Sequence, residues 1–464
     1  MLKVVLADVP MAQLKGEAVT ESPNLGILYI ISYVRQRLKD VEFHYLEPLL
    51  SLEEHLALVE KLKPDVYCTS FTTQKKALGY ETIRKVKQLV PNALIMAGGA
   101  HPTIDPEDVF MNSETDVCVV GEGEETCREL LATLLESNSS SSFYSKLANV
   151  KGIAYRDTKG LIQFNPNREL LSDINFLPAW DMVDLGKYDG PVRKKHPLAY
   201  VLQARGCPYS CVYCSNPVWK LTKPWLRTRS PENIAEEVKY LYDKGVREIY
   251  LRADTFNTEI GWATSVCEKI KDLNLKDLLF QCNLRADKLD EDFAKKLSEI
   301  NCWLVHIGLE SVNNRVLKGV NKMVTYEDIE RTLRTLKKHH IKVYGFFMLY
   351  NVWEENGELN YETTKEVEKT LRITKKLLKE KLLTYISWSI ANPIIGSKLH
   401  DIIARHDAFS NNKNLPIKLP IPEEEMMNSL KKGLKLQLWN GIVNRQINLR
   451  SLKRVRRKIK VILS

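Results

Sequence analysis

The feature that most constrains the fold of this chain is an alternation of strand-like and helix-like segments that occurs twice along the sequence. Short runs rich in β-branched residues alternate with amphipathic segments from the N-terminus to about residue 135, and the alternation starts again near residue 199. Parallel strands need a crossover between them, usually a helix, so this order predicts parallel sheets covered by helices. We therefore expect an α/β protein with two parallel sheets.

The same patterns divide the chain into four segments. Residues 1–140 predict a doubly wound, Rossmann-like domain, and residues 198–400, with six strand–helix units, predict a full or partial parallel (β/α) barrel. Residues 141–197 follow a run of serines and predict a linker and a hairpin that bridge the two domains. Residues 401–464 predict a helical C-terminal region that becomes increasingly basic.

Composition narrows the class of protein further. A chain of 464 residues with 44% hydrophobic residues is neither disordered nor fibrous, and its longest uncharged apolar stretch, Leu25–Val34, is too short to span a bilayer. Met1–Lys3 leads directly into the strand-like Val4–Leu6, without a signal sequence. We therefore expect a cytoplasmic protein in which the nine cysteines are thiols or metal ligands.

Three of those cysteines, Cys207, Cys211 and Cys214, lie directly after a predicted strand. Chemistry in parallel barrels is found at the carboxyl ends of the strands. The spacings let one loop bind three irons of a 4Fe-4S cube and leave the fourth iron without a protein ligand, which implies a small-molecule ligand. Zinc is the alternative, but a zinc site needs a fourth ligand, and the neighbouring residues supply no convincing one.

The cysteine segment, with Tyr213 before the last cysteine, resembles the signature of the radical S-adenosylmethionine (SAM) superfamily. Residues 249–256, 283–287 and 307–311 are similar to its later strand-end motifs. The resemblance implies that Cys207, Cys211 and Cys214 bind the cluster. The residues that it implies orient SAM are Asp254, Arg285, Glu310 and Ser311.

Two segments depart from the pattern of that superfamily. Ala253 and Asp254 stand where a typical member of this branch carries two acids, and residues 392–397 replace a common Pro-Gly-Thr-Pro turn. Of the two acids, this chain therefore retains one, Asp254.

The N-terminal segments 23–29, 97–103 and 119–124 look like the cobalamin-binding domain of the cobalamin-dependent radical SAM branch. Glycines at strand ends leave room for a bulky ligand, and hydroxyls there can contact it. The residues implied to contact cobalamin are Ser70, Thr72, Gly98, Gly99, Gly121 and Glu122. The sequence has no Asp-x-His-x-x-Gly motif to supply a histidine to cobalt, and we expect His101 to hydrogen-bond locally.

The resemblance implies a C-methyltransferase that acts on an unactivated carbon. In this family an electron from the reduced cluster cleaves SAM to methionine and a 5′-deoxyadenosyl radical, which abstracts hydrogen, and methylcobalamin supplies the methyl group. The implied cofactors are a 4Fe-4S cluster, SAM and cobalamin. The implied partners are a small-molecule, lipid or peptide substrate and an external electron donor, and nucleic acid is not expected.

Three alternatives stay open. The protein could catalyse cyclisation, rearrangement or oxidation without methyl transfer, or could bind cobalamin and a cluster without being an enzyme. It could also modify RNA as methylthiotransferases do, which requires a second cluster on Cys68, Cys118 and Cys127. Two of those cysteines fall within a predicted strand and a predicted helix, whereas cluster ligands are expected on loops.

Two further features leave the substrate open. Residues 450–464 hold seven cations and no acid among aliphatic residues, a pattern typical of helices at anionic membranes or RNA. A solvated basic face, with its apolar side on the barrel, explains the pattern better. Peripheral membrane contact stays an open expectation. An aromatic substrate pocket, or plain barrel core, is predicted for Tyr344, Phe346, Tyr350, Trp353 and Trp388.

Overall fold

A computed structural model describes residues 1–11, 22–188, 190, 192–215, 220–412 and 415–443. The chain divides into two compact units. The first comprises residues 1–190 with a short segment that ends at Arg227, and the second comprises the remainder. The basic segment 450–464 lies outside the described residues, and within those residues no helix is both long enough and apolar enough to cross a membrane.

Within its described residues, the first unit contains a seven-stranded sheet and seven α-helices. Its strands are β1 (Leu2–Asp8), β2 (Val41–Leu46), β3 (Val66–Ser70), β4 (Leu94–Gly98), β5 (Val117–Val119), β6 (Ile153–Arg156) and β7 (Ile162–Phe164). Its helices are α1 (Leu25–Arg35), α2 (Leu52–Leu62), α3 (Lys76–Leu89), α4 (Ala100–Ile104), α5 (Pro106–Asn112), α6 (Glu124–Leu135) and α7 (Ser140–Lys146). The strand order is β2-β1-β3-β4-β5-β6-β7.

Strands β1 to β5 are parallel, as the alternating pattern predicts. The central strand β1 is buried on both faces from Val4 to Asp8, which is why it reads as an almost continuous apolar run. Helix α1 begins after Asn24, whose side-chain oxygen accepts a hydrogen bond from the Ile27 amide at 3.3 Å. The parallel order brings the carboxyl ends of β1, β3 and β4 to one edge.

The structure differs from the sequence expectation between residues 137 and 164. The hairpin is present as β6 and β7, but β6 pairs antiparallel with β5, so the hairpin extends the first sheet instead of bridging two domains. The serine run does not form an open linker, because the Ser139 hydroxyl caps helix α7 by accepting a hydrogen bond from the Ser142 amide at 3.2 Å.

The second unit contains the remaining elements, apart from β10 (Leu226–Thr228), which spans the boundary. The strands are β8 (Leu198–Leu202), β9 (Ala204–Gly206), β11 (Glu248–Arg252), β12 (Leu279–Leu284), β13 (Cys302–Glu310), β14 (Lys342–Leu349), β15 (Val352–Glu355), β16 (Glu358–Tyr361) and β17 (Tyr385–Ile390). The helices are α8 (Pro231–Asp243), α9 (Ile260–Asp272), α10 (Glu291–Glu299), α11 (Asn314–Gly319), α12 (Tyr326–Lys338), α13 (Thr364–Lys379), α14 (Lys398–Arg405) and α15 (Glu423–Val443).

Six of these strands form one parallel sheet in the order β17-β14-β13-β12-β11-β8, which confirms the predicted parallel (β/α) barrel in its partial form. One face is aliphatic and buried, with Ile249, Leu251, Val305 and Ile307 fully inaccessible. The opposite face, which we call the inner face, carries aromatic and polar side chains. Its members include Tyr200, Tyr250, Arg252, Gln281, Asn283, His306, Tyr344 and Phe346.

The five aromatic residues proposed to line a pocket separate into two groups. Only Tyr344 and Phe346 lie on the inner face, while Trp388 stacks on Phe347, on the opposite face, with ring centres 4.7 Å apart. Helix α15 packs against Trp388 at Gly433, where a Cβ atom would lie 3.0 Å from the indole ring. Tyr350 and Trp353 are buried core residues, so the strand period of two decides which aromatics can face a ligand.

Candidate functional site

The loop after β9 carries Cys207, Cys211 and Cys214 as half-buried side chains that form no disulfide bond. It leaves the strand through Gly206 at φ +84° and closes a turn in which the Cys214 amide donates to the Cys211 carbonyl at 3.1 Å. Burial raises the pKa of the Cys207 thiol, and the charge of the nearby Asp254 acts in the same direction. Three thiols on one short loop fit the ligand set of a 4Fe-4S cube.

No group of three or more His, Cys, Asp or Glu side chains within the described residues could hold a metal ion. That result concerns a single ion. The three cysteine ligands of a cube bind three different irons, so they need not converge on one point.

The C-terminal end of β13 is tied to the cysteine loop through Glu310. The Tyr213 hydroxyl donates to Glu310 Oε1 at 3.0 Å, and the Lys322 ammonium donates to the same oxygen at 3.1 Å. Glu310 adopts φ +60° at a register shift in the β13–β14 pairing, which turns its backbone out of the regular ladder. Burial raises the pKa of Tyr213 well above its ordinary value, so this phenol is a hydrogen-bond donor.

A second tie runs through Arg285 at the end of β12. Its guanidinium carbon lies 3.6 Å from the centre of the Tyr209 ring, a close cation–π contact with the cysteine loop. The same group donates to Asp287 Oδ1 at 2.9 Å and to the Lys322 carbonyl at 2.7 Å. The structure therefore brings Arg285, Glu310 and the cysteine loop together, as the sequence motifs predict for one site.

Ser311 lies differently from its neighbour Glu310. Its side chain is fully buried and donates to Glu362 Oε1 at 2.7 Å, while Asn351 donates to Glu362 Oε2 at 2.9 Å. Burial raises the pKa of Glu362 to about 7. The Ser311 hydroxyl thus donates its hydrogen bond to a buried protein carboxyl group.

In the first unit, Ser70 and Gly98 are register partners at the carboxyl ends of β3 and β4. Gly99 follows at φ +93°, and a Cβ atom there would lie 2.7 Å from the Ser70 hydroxyl, so the close approach of these two strand ends requires glycine. A Cβ at Gly98 would meet nothing closer than 3.8 Å. Thr72 is exposed and its side chain forms no capping hydrogen bond.

Gly121 and Glu122 follow β5. The Gly121 amide donates to the Thr103 hydroxyl at 3.1 Å. The Glu122 carboxylate is paired with Arg227 through two hydrogen bonds of 2.6 and 2.9 Å, and also accepts from the Leu171 amide at 3.3 Å. Glu122 thus fixes two neighbouring segments of its own unit, a partnership that the local sequence does not reveal.

His101 is fully buried, and both of its ring nitrogens have partners. Nε2 lies 2.8 Å from the Tyr80 hydroxyl and 3.0 Å from Asp108 Oδ2, and Nδ1 lies 3.3 Å from the Thr73 hydroxyl. Burial lowers the pKa of His101. This is the local hydrogen bonding expected for His101. The exposed Thr72 and the backbone at Gly98, which carries no side chain, fit a large ligand without His101.

One group at this edge was not among the predicted site residues. Asp8, the last residue of β1, is buried, and burial raises its pKa to about 6 although Lys75 and Asn24 favour the charged form. The sequence signal is an acid placed directly at the end of a central apolar strand.

Two family models match the chain. Residues 201–359 match the radical SAM superfamily, and residues 13–131 match the B12-binding domain. The first match covers the three cysteines and strands β11 to β14 of the six-stranded sheet. The second match covers the parallel strands β2 to β5 of the first sheet.

An uncharacterized methyltransferase of Pyrococcus horikoshii is 28% identical, over 89% of this chain and 84% of the relative. Among solved structures, the cobalamin-dependent SAM radical enzyme OxsB, with aqua-cobalamin and SAM bound, has a TM-score of 0.73 at 17% identity and covers 99% of this chain and 71% of its own. The radical SAM methyltransferase TsrM from Kitasatospora setae, with cobalamin and a [4Fe-4S] cluster bound, has a TM-score of 0.68 at 16% identity, with 88% and 76% covered.

The chain therefore contains a radical SAM domain, which places it among the radical SAM enzymes. The B12-binding domain ahead of it makes this protein a cobalamin-dependent radical SAM enzyme with methyltransferase relatives. The predictions of the family, of the α/β fold and of the three cofactors are confirmed at this level.

Proposed function

We propose that this protein is a C-methyltransferase that methylates an unactivated carbon of a small molecule. The observation that carries the proposal is the similarity to a methyltransferase along 89% of the chain, which includes both cofactor domains. When bound, the cluster, SAM and cobalamin would supply the electron, the hydrogen-abstracting radical and the methyl group.

In this proposal, the residues of the second unit hold the cluster and orient SAM. Cys207, Cys211 and Cys214 are the cluster ligands. Asp254, whose charge acts on Cys207, and the two residues that tie the cysteine loop to the sheet, Arg285 and Glu310, orient SAM. Ser311 acts through the buried Glu362 network, as a positioning residue for the strand end that carries Glu310.

The residues of the first unit that contact cobalamin in this proposal are Ser70, Thr72, Gly98, Gly99, Gly121 and Glu122. The exposure of Thr72 and the lack of a side chain at Gly98 support direct contact. Gly99 and Glu122 support the shape of the edge, since the first permits the close approach to Ser70 and the second pairs with Arg227. The proposal also includes an external electron donor, because the cluster must be reduced before it can cleave SAM.

The test needs no knowledge of the substrate. Anaerobic enzyme, reconstituted with cluster and hydroxocobalamin and then desalted, is incubated with a reductant and SAM that carries a deuterated methyl group. We expect stoichiometric retained cobalamin, about one S-adenosylhomocysteine per cobalamin with the label recovered in the cobalamin fraction, and slow formation of 5′-deoxyadenosine.

The three readouts separate the alternatives. Deoxyadenosine with retained cobalamin but without S-adenosylhomocysteine would favour ring formation, rearrangement or oxidation over methyl transfer. The absence of deoxyadenosine under every reductant would favour a binding protein. Deoxyadenosine without retained cobalamin would favour the methylthiotransferase-like alternative, in which the first domain binds a second cluster.

A further inference from the structure

A buried carboxylate anchors a hydrogen-bond relay at the N-terminal end of the second sheet. Glu248, the first residue of β11, is fully buried and accepts four N–H groups. Oε2 accepts from the amides of Lys194 and Lys195 at 2.7 and 2.6 Å, and Oε1 accepts from Gln281 Nε2 at 2.6 Å and Trp303 Nε1 at 2.8 Å. Four donors around two oxygens define a carboxylate that only accepts.

That carboxylate fixes the orientation of the Gln281 amide. The Gln281 NH2 group donates to Glu248 and to the Val192 carbonyl at 3.0 Å, so the amide oxygen points to the opposite side. There it lies 2.8 Å from His306 Nε2. Because an amide oxygen only accepts, Nε2 must carry the proton, and the Nδ1 atom of a neutral ring is left as an acceptor.

His306 is suited to remain neutral. Burial, and to a smaller extent the charge of Arg252, lower its pKa to about 3. Within the described part of the chain no group donates a hydrogen bond to Nδ1. The neighbouring strand places Asn283 in register with His306, and Asn283 Oδ1 is a buried acceptor that finds no partner among the described residues. A buried acceptor of this kind is normally satisfied, so Asn283 Oδ1, next to His306, marks a place for a donor.

Aromatic rings surround these acceptors on the inner face. The Tyr250 ring stacks on His306 with centres 4.6 Å apart and planes at 21°, and Phe346 lies 6.0 Å away at 20°. Tyr344 continues the stack on Phe346 at 4.5 Å. Phe346 is 37% exposed, which is unusual for a phenylalanine within a central strand and leaves part of the ring for a ligand.

A cation lies next to the same rings. Arg252, two residues after Tyr250 on the same face of β11, has its guanidinium carbon 5.4 Å from the centre of the Tyr250 ring. Its side chain is exposed, and no carboxylate of the described residues forms an ion pair with it. Arg252 and His306 therefore flank one tyrosine, the first as a cation and the second as a neutral acceptor.

We propose that the inner face binds an acidic, aromatic or conjugated small molecule, with Arg252 pairing with its anionic group and His306 Nδ1 accepting a hydrogen bond from its O–H or N–H group. Gln281 and Glu248 are positioning residues that set the tautomer of His306. The proposal rests on the proposed function only in naming this ligand as the substrate.

Three probes test the two contacts separately. Equilibrium dialysis with the holoenzyme compares 4-hydroxybenzoate, which has both groups, with 4-methoxybenzoate, which lacks the donor, and 4-hydroxybenzamide, which lacks the charge. We expect 4-hydroxybenzoate to bind about tenfold more tightly than each of the others, since 4-methoxybenzoate loses the hydrogen bond to His306 and 4-hydroxybenzamide loses the ion pair with Arg252.

Matched variants assign each preference to its residue. His306→Phe, which keeps the ring stack, should abolish only the preference for hydroxyl over methoxy, and Gln281→Met should do the same through loss of the tautomer. Arg252→Gln should abolish only the preference for carboxylate over amide. A merely structural role would weaken all three probes equally and leave both ratios unchanged.

The proposal is overturned if the wild-type protein binds none of the probes or shows neither preference, and in part if one preference is absent. These outcomes do not depend on methyl transfer. A protein that shows both preferences but forms no S-adenosylhomocysteine would retain this site and lose the proposed function.

Discussion

The carboxyl ends of the two sheets differ in what shapes them: backbone geometry at the first sheet and charged side chains at the second. At the first sheet, the edge is shaped by backbone: Gly99 permits contact with Ser70, and the carboxylate of Glu122 is already paired with Arg227. At the second sheet, the charged side chains of Arg285 and Glu310 reach across to the cysteine loop. An edge shaped by backbone suits a large ligand that binds through shape complementarity. An edge with charged side chains at fixed positions suits a small, charged ligand.

The largest expected effect separates the two edges by their chemistry. Cys207→Ala should reduce 5′-deoxyadenosine formation by more than about 100-fold, because a cluster without its third thiolate is lost or inactive. Retained cobalamin should not change. The control is Cys267→Ala, which replaces a buried cysteine on α9. This variant should keep both 5′-deoxyadenosine formation and cobalamin retention near the wild-type level. Loss of cobalamin from the Cys207 variant would mean that the two edges are not independent.

The second expected effect concerns the pH dependence of stability that arises from Glu362, which is hydrogen-bonded to Ser311 and Asn351 behind the second edge. Burial raises the pKa of Glu362 from 4.5 to about 7, so the folded protein holds this proton more tightly than the unfolded chain does. Its stabilising contribution is complete below pH 4.5 and is lost as the pH rises to about 7, a loss of about 3 kcal/mol.

Urea unfolding of the wild type and of Glu362→Gln measures this contribution. The glutamine can still accept from Asn351 with its oxygen, and it does not titrate. The difference in unfolding free energy between the two proteins should therefore shift in favour of the variant as the pH rises from 5 to 7. A difference that stays constant with pH would show that Glu362 is not protonated in the folded state.

The smallest expected effect concerns the backbone-shaped edge. Gly99→Ala places a Cβ 2.7 Å from the Ser70 hydroxyl at φ +93°, and should destabilise the protein by about 1–3 kcal/mol and weaken cobalamin retention. Gly261→Ala, at an exposed position on helix α9, is the matched control, since its Cβ meets nothing within 4 Å. Thermal unfolding and cobalamin retention after desalting measure both variants, and equal behaviour would contradict a role for the close approach of β3 and β4.

The sequence predicts the sheets well because strand and helix periods are local properties. The alternation predicts β1 to β5 and the six-stranded sheet, and the cysteine spacing predicts the loop that carries the thiols. The position of the β6–β7 hairpin could not be predicted, because pairing with β5 depends on which edge strand is free, and not on the hairpin itself.

Side-chain partnerships were harder to predict than strands. Ser311 and Glu362 are 51 residues apart, and Glu122 and Arg227 are 105 apart, so no local pattern joins them. The orientation of His306 depends on Glu248 and Gln281, on two other strands. Residue identity at a strand end thus indicates a site, but the partner of each side chain depends on the tertiary fold.

The fastening of the cysteine loop has a consequence for cluster assembly and repair. The Asn321 side chain donates to the Ser210 carbonyl at 3.0 Å, the Val212 amide donates to Val320 at 2.9 Å, and the Leu399 amide donates to Val212 at 2.8 Å. These bonds join protein groups to protein groups, so the thiols are positioned by the fold. We therefore expect the fold to survive the loss of an oxidised cluster and to accept a new one, in contrast to metal domains whose folding and metal loading are one event.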